Sequence, residues 1–297
     1  MSNEHPPELG TTDQEFLGIE AGADEGRNRF RVRNHLSRLD SRLYGGTAIA
    51  VSLATAEELT GRRPLWMTTQ FVSTAPAEAV IDVHTEVLAP GKRTNQVRVT
   101  ATDATGATMF ASLGATGQHR EDGLFGTFEH SPVVSSPHES DASGGPFVAM
   151  LRNAGITEVP PLPTGIGFAS VVEFREPEVR EHPDPGPGRI CMWVRRVDGV
   201  PLTPATAAFI ADMVPLSVAH GTGLVAGGVS LDNTVRIGAF EPTEWVLIDL
   251  RAHFAAGGYG HGAVQVWSES GELMATASQT ASMFRFDVDP PWRRPGS

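Results

Sequence analysis

LYGGTAIAVSLATAEELTG, residues 43–61, decides the fold. Its apolar residues occupy nearly the whole circumference of a helix, so that helix has no broad polar face to give to water and must be buried on most sides. Gly45-Gly46 opens it and Gly61 closes it. The chain that follows has the period needed to wrap it. In AVIDVHTEVL, residues 79–88, Ile81, Val83, Thr85 and Val87 point one way and Asp82, His84 and Glu86 the other, the alternation of a half-buried strand. APGKRTN makes a turn, Val97, Val99 and Ala101 resume the alternation, and ATDATG leads into a third strand over 107–115. Two short candidate strands, 16–20 and 30–33, precede the helix. The predicted order is strand, strand, buried helix, then about four strands in an antiparallel meander.

The same order recurs after residue 165. FASVVEFREP and RICMWVRR read as the two leading strands and PLTPATAAFIADM as the helix, with Phe209, Met213 and Leu216 on one face and Pro215 at its end. GGVSLDNTVRIG, TEWVLIDLRAHF, GHGAVQVWSES and GELMATASQTASMF supply four more strands, and the last aligns with GATMFASLGAT of the first half. The chain therefore divides into an N-terminal unit (14–118), a Ser-, Pro- and Gly-rich linker (119–165), a C-terminal unit (166–285) and a tail (286–297).

Composition narrows the function. A net charge of -12 with scattered basic residues leaves no positive stripe for nucleic acid. Cys191 is the only cysteine, which excludes an intrachain disulfide and a CxxC metal or redox site and fits a reducing cytoplasm. The acidic N-terminus is unlike a signal peptide, and no stretch reaches the length of a membrane span. GxSxG, GxxxxGK[ST] and HExxH are all missing, so neither a metal nor a cofactor is expected.

A helix wrapped by an antiparallel sheet, present twice, predicts an α+β double hotdog. One copy alone leaves an unpaired edge and an open groove, and two copies side by side share one continuous sheet with the cleft between them. With RLYGGTAIA, GGVSLDNTVRI followed by EWVLIDL, and GELMATASQTASMF in that order, the chain resembles the double-hotdog acyl-CoA thioesterases of the thioesterase II type over residues 14–285.

The resemblance implies hydrolysis of acyl-CoA by water that an Asp, a Thr or Ser, and a Gln of the second half orient. Carried over by position, the Asp is Asp232 and the Gln is Gln279, and the hydroxyl falls on His253. Gly45-Gly46, at a helix N-terminus, would face the oxyanion. Thr69 would be the first-half counterpart of Asp232, leaving one cleft without a carboxylate. Strand parity allows another reading, in which Asp232 and His253 face solvent and Gln279 is a structural amide on an apolar face. The replacement of the hydroxyl by His253 keeps two alternatives open, a non-catalytic acyl-CoA-binding protein and an enoyl-CoA hydratase. Assembly of the chain into a homo-oligomer is also left open.

Overall fold

The computed structural model describes residues 9–156 and 166–286. In the first half the chain forms α1 (Asp13–Leu17), β1 (Ile19–Ala21), β2 (Arg27–Arg31), α2 (Gly45–Thr60), β3 (Arg63–Phe71), β4 (Val80–Ala89), β5 (Thr94–Thr102) and β6 (Thr108–Gly117). β7 (Val133–Val134), β8 (Asp141–Ser143) and α3 (Gly145–Asn153) follow. The second half contains β9 (Val172–Glu176), β10 (Val179–Glu181), β11 (Arg189–Arg196), α4 (Pro204–Ala211), α5 (Val214–Thr222), β12 (Ala226–Ile237), β13 (Val246–Ala256), β14 (Tyr259–Ser268) and β15 (Leu273–Arg285).

Among the described residues, thirteen strands form one antiparallel sheet in the order β1-β2-β4-β5-β6-β3-β12-β15-β14-β13-β11-β9-β8. The halves join through β3 and β12, where Thr68 lies opposite Thr234 and their hydroxyls meet at 3.0 Å. On either side of this pair the strand order of one half mirrors that of the other, as expected of a double hotdog. Neither half keeps an exposed inner edge, because each supplies the strand that the other lacks.

α2 is wrapped as its composition demands, with residues 46–56 all buried. Its two mid-helix hydroxyl residues are paired. Ser52 bonds the Ala48 carbonyl and the Ser112 hydroxyl, while Thr55 bonds the Val51 carbonyl and accepts from Thr85. Such i−4 back-bonding lets a polar side chain occupy a buried helix without an orphaned group. The inward row of β4 and β5 is the one the alternation predicts: Ile81, Val83, Thr85, Val97, Val99 and Ala101 are buried. A single core cluster runs through both halves, and Phe209 of α4 lies in it with its ring edge-on to Phe16 of α1 and Tyr44 before α2.

Three elements differ from expectation. Residues 13–17 are helical, because Thr12 and Glu15 form a reciprocal capping box at the N-terminus of α1. The stretch 119–165, expected as linker, carries β7, which pairs with β10, β8, which extends the main sheet at β9, and α3; residues 157–165 of it, and 287–297 of the expected tail, lie outside the described residues. Pro215 begins α5 where it was expected to end the preceding helix. Lacking an N–H for the Ala211 carbonyl, it interrupts the helical run at Asp212 and Met213 and then occupies the first turn of α5, where that N–H is not needed.

Phe209→Ala should therefore cost about 3–5 kcal/mol, the usual loss for a buried Phe. Because its contacts span both halves, urea unfolding followed by tryptophan fluorescence and by circular dichroism should shift together to lower midpoint. Separate transitions would show two independent cores.

Candidate functional site

The break between α4 and α5 places an acidic side chain in the core. Asp212 is buried, and its Oδ1 accepts hydrogen bonds from Asn233 Nδ2 at 2.8 Å and Gln279 Nε2 at 2.7 Å. Gln279 Nε2 also contacts Ser230 Oγ. From the first half, the Gly46 N–H in the opening turn of α2 donates to the same carboxylate, and the Tyr44 hydroxyl donates to the Asp212 backbone carbonyl at 3.0 Å. The backbone break is thus what frees that carbonyl for a side chain of the other half.

Gly45 and Gly46 are required by this approach. A Cβ on Gly45 would collide with Asp212 Oδ2, and one on Gly46 with the Phe209 carbonyl. Tyr44 is fixed from behind by Phe168, stacked on it with ring centroids 4.2 Å apart. The site therefore sits at the junction of the halves, with the positive end of α2 facing a carboxylate from the second half.

Burial pushes the Asp212 carboxyl up to about 7, against the hydrogen bonds from Asn233, Gly46 and Gln279 and the field of Arg38, which pull it down. Desolvation wins because the group has lost its water, and the donors bring the balance to near neutrality. Asp212 can therefore exchange a proton at physiological pH.

The residues expected from the sequence separate into two places. Gln279 and Gly45-Gly46 meet at Asp212. Asp232 and His253 do not join them. Asp232 lies on the opposite face of β12, half-buried, with Oδ1 accepting the Thr280 N–H at 3.0 Å. His253 is exposed, the additional residue of a bulge in β13, with its ring 5.3 Å from that of His261 and its pKa lowered by partial burial and then by neighbouring charges, His261 first. The cause in β12 is also a bulge. Ser230 pairs with Ala281 and Asp232 with Thr280, so Leu231 is the extra residue, and Ser230 and Asn233 come to share the inward face with Gln279. Simple alternation forbids that.

The structure thus assembles a carboxylate, a hydroxyl and an amide, but from Asp212, Ser230 and Gln279. Sequence reading missed Asp212 because it lies in an apolar helical run, and missed Ser230 because parity was counted without the bulge. An acid placed two residues before Val-Pro, in a segment otherwise fit for the core, was the available signal.

Thr69 is not the counterpart of Asp232 either. It faces inward, fully buried, bonded to Ser112 at 2.9 Å. Taking Thr68 with Thr234 as the point of symmetry, the pair Asn233 and Gln279 corresponds to Met67 and Gly114, partners across β3 and β6. A methionine fills in the first half the place that polar groups hold in the second.

Residues 34–114 match the acyl-CoA thioesterase N-terminal domain and residues 151–283 the acyl-CoA thioesterase C-terminal domain. A protein of Novosphingobium aromaticivorans assigned as a thioesterase is 30% identical, with a TM-score of 0.76, over 89% of this chain and 97% of that one. A hot dog fold protein of unknown function from Alicyclobacillus acidocaldarius (19% identity, TM-score 0.75, covering 93% and 98%) and the acyl-CoA thioesterase II TesB2 of Mycobacterium marinum (17%, 0.68, 92% and 98%) share the fold. No curated protein matches the chain. The fold and the paired domains define a double-hotdog protein, and the chain belongs to the acyl-CoA thioesterase family.

The raised pKa of Asp212 has a consequence for stability. Between the unfolded carboxyl value of about 3.9 and the folded value, the native state holds a proton that the unfolded chain has lost, so this group's contribution to stability falls as pH rises through that window. Asp212→Asn removes the buried charge. Relative to the parent, the variant should gain thermal stability on going from pH 5 to pH 8, measured by calorimetry at both pH values; an unchanged difference would mean that Asp212 is not titrating in the core.

Proposed function

We propose that the chain hydrolyses acyl-CoA to a free acid and CoA, with Asp212 as general base. The observation that carries this reading is the buried carboxylate beside Gln279 and Ser230, in a chain of a thioesterase family. Attack of water on a thioester carbonyl needs an acceptor for the water proton and a second group to set its direction. A carboxylate poised near neutrality can take the proton, and an amide and a hydroxyl can orient the water between them. The positive end of α2 would stabilise the developing negative charge at the carbonyl oxygen. In the resting site the Gly46 N–H is engaged by Asp212, so the glycine pair acts on the base as well as on the oxyanion.

This reading needs neither Asp232 nor His253. The ground for a degenerate binding protein was a histidine at the hydroxyl position, and Ser230 supplies a hydroxyl beside Gln279. For location, no described helix is long and apolar enough to cross a membrane, and the single cysteine fits action in the cytoplasm.

Steady-state thiol release from a panel of acyl-CoAs tests the reading. Asp212→Asn should keep acyl-CoA binding and lose about 10²–10⁴-fold in turnover, the usual contribution of a general base. Gln279→Ala and Ser230→Ala should each lose about tenfold or more, as removal of one orienting hydrogen bond does. Asp232→Asn and His253→Thr should retain turnover. A parent protein that binds acyl-CoA yet releases no CoA would sink the hydrolase reading, and full activity in Asp212→Asn would sink the site.

In the parent, kcat/KM should rise with pH through an apparent pKa of about 7, that of Asp212, because only the ionised carboxylate accepts a proton. A pH-independent rate between 5 and 9 would exclude a titrating base.

A further inference from the structure

Asn233 stands outside the carboxylate, hydroxyl and amide set, yet it is 1% exposed and makes one of the two side-chain amide bonds to Asp212. It lies directly opposite Gln279 across β12 and β15, on the inward face. Both amides donate to the same atom, Asp212 Oδ1. Their own oxygens, Asn233 Oδ1 and Gln279 Oε1, are buried without a hydrogen-bond partner. A buried amide kept only for packing would not leave its acceptor unmade, since an unpaired buried acceptor is destabilising. An apolar residue would serve that purpose better, as Met67 does at the corresponding place in the first half.

The geometry of the carboxylate explains the arrangement. With Oδ1 held by two donors, Oδ2 is turned toward Gly45, at the junction of the halves. One donor would fix the distance and leave the carboxylate free to rotate about it. Two donors converging from adjacent strands fix its plane as well. Ser230 touches Gln279 and makes no bond to Asp212, so Gln279 is shared and Asn233 is committed to the carboxylate alone.

We infer that Asn233 is a positioning residue of the Asp212 site: it acts with Gln279 to lock Oδ1, presents Oδ2 at the α2 N-terminus, and holds the carboxyl in its ionised form. The catalytic part of this inference rests on the acyl-CoA hydrolase reading; the effect on Asp212 does not. The other groups acting on Asp212 are the Gly46 N–H from α2, the Tyr44 hydroxyl at its backbone carbonyl, and Arg38 through its field. Thr69 of β3 faces Asn233 across the join and is uncharged. The Tyr44 hydroxyl does not titrate in the range of the readout, because burial raises it well above its ordinary value.

The test separates the two layers. The carboxyl stretch of Asp212, isolated by infrared difference against Asp212→Asn, is titrated in the parent, in Asn233→Leu, which keeps the volume and loses the donor, and in Asn233→Asp, which keeps the shape and substitutes a like charge. Loss of a donor to a buried carboxylate should raise the midpoint by about one unit in Asn233→Leu, and the like charge should raise it further in Asn233→Asp. The acid limb of kcat/KM should move with the infrared midpoint, with KM nearly unchanged at pH above both. If Asn233→Leu does not fold, Asn233→Asp decides alone. An unmoved midpoint in the variants that fold overturns the inference, even if turnover falls, because a packing defect lowers rate without retuning the carboxyl. A moved midpoint in a protein that hydrolyses no acyl-CoA would retain Asn233 as the residue that sets Asp212 and discard the hydrolase reading.

Discussion

The structure depends on placing the Asp212 carboxylate against the N-terminus of α2. A carboxylate without water needs donors from several directions, and no single element of this chain could supply them. Asn233 comes from β12, Gln279 from β15 and the Gly46 N–H from the other half of the molecule. That demand explains the glycine pair, the break between α4 and α5 and the closeness of α2 to α4. Each of these features costs stability when considered alone, and together they leave a titratable group near neutrality in a buried site.

The join of β3 to β12 makes the convergence possible. It brings Thr69, Asn233 and Gln279 into one inward row, with Ser112 continuing it into the first half. On the first-half side the row consists of hydroxyls bonded to one another and to Ser52 of α2. On the second-half side it consists of amides bonded to a carboxylate. The frame is present twice, and the buried carboxylate with its two amides stands in one copy. The Met67 and Gly114 pair shows what the same place looks like when only packing is required of it.

Bulges decide which residues take part. In β12 the extra residue Leu231 reverses the parity of everything before it, so Ser230 joins Asn233 and Gln279 on the inner face and Asp232 is left to bond the Thr280 N–H on the outer one. In β13 the bulge turns His253 out to solvent beside His261. One inserted residue thus separates an inward-facing hydroxyl from an outward-facing carboxylate two positions away.

Local periodicity alone determined the wrapped helix at 45–60, the alternating strands of both halves, the repeat and the double-hotdog architecture, because each depends on residues close in the chain and on a hydrophobic period that a buried face imposes. Gln279 on an apolar face and the paired glycines were readable for the same reason. The identity of the proposed base and of the hydroxyl beside Gln279 was decided only by the tertiary structure. Asp212 acquires its environment from strands more than twenty residues away and from a helix of the other half, and Ser230 acquires its direction from a bulge that exists only when β12 pairs with β15. Burial, and the electrostatic consequences of burial, are properties of the assembled sheet and helix, and no pattern within a single segment contains them.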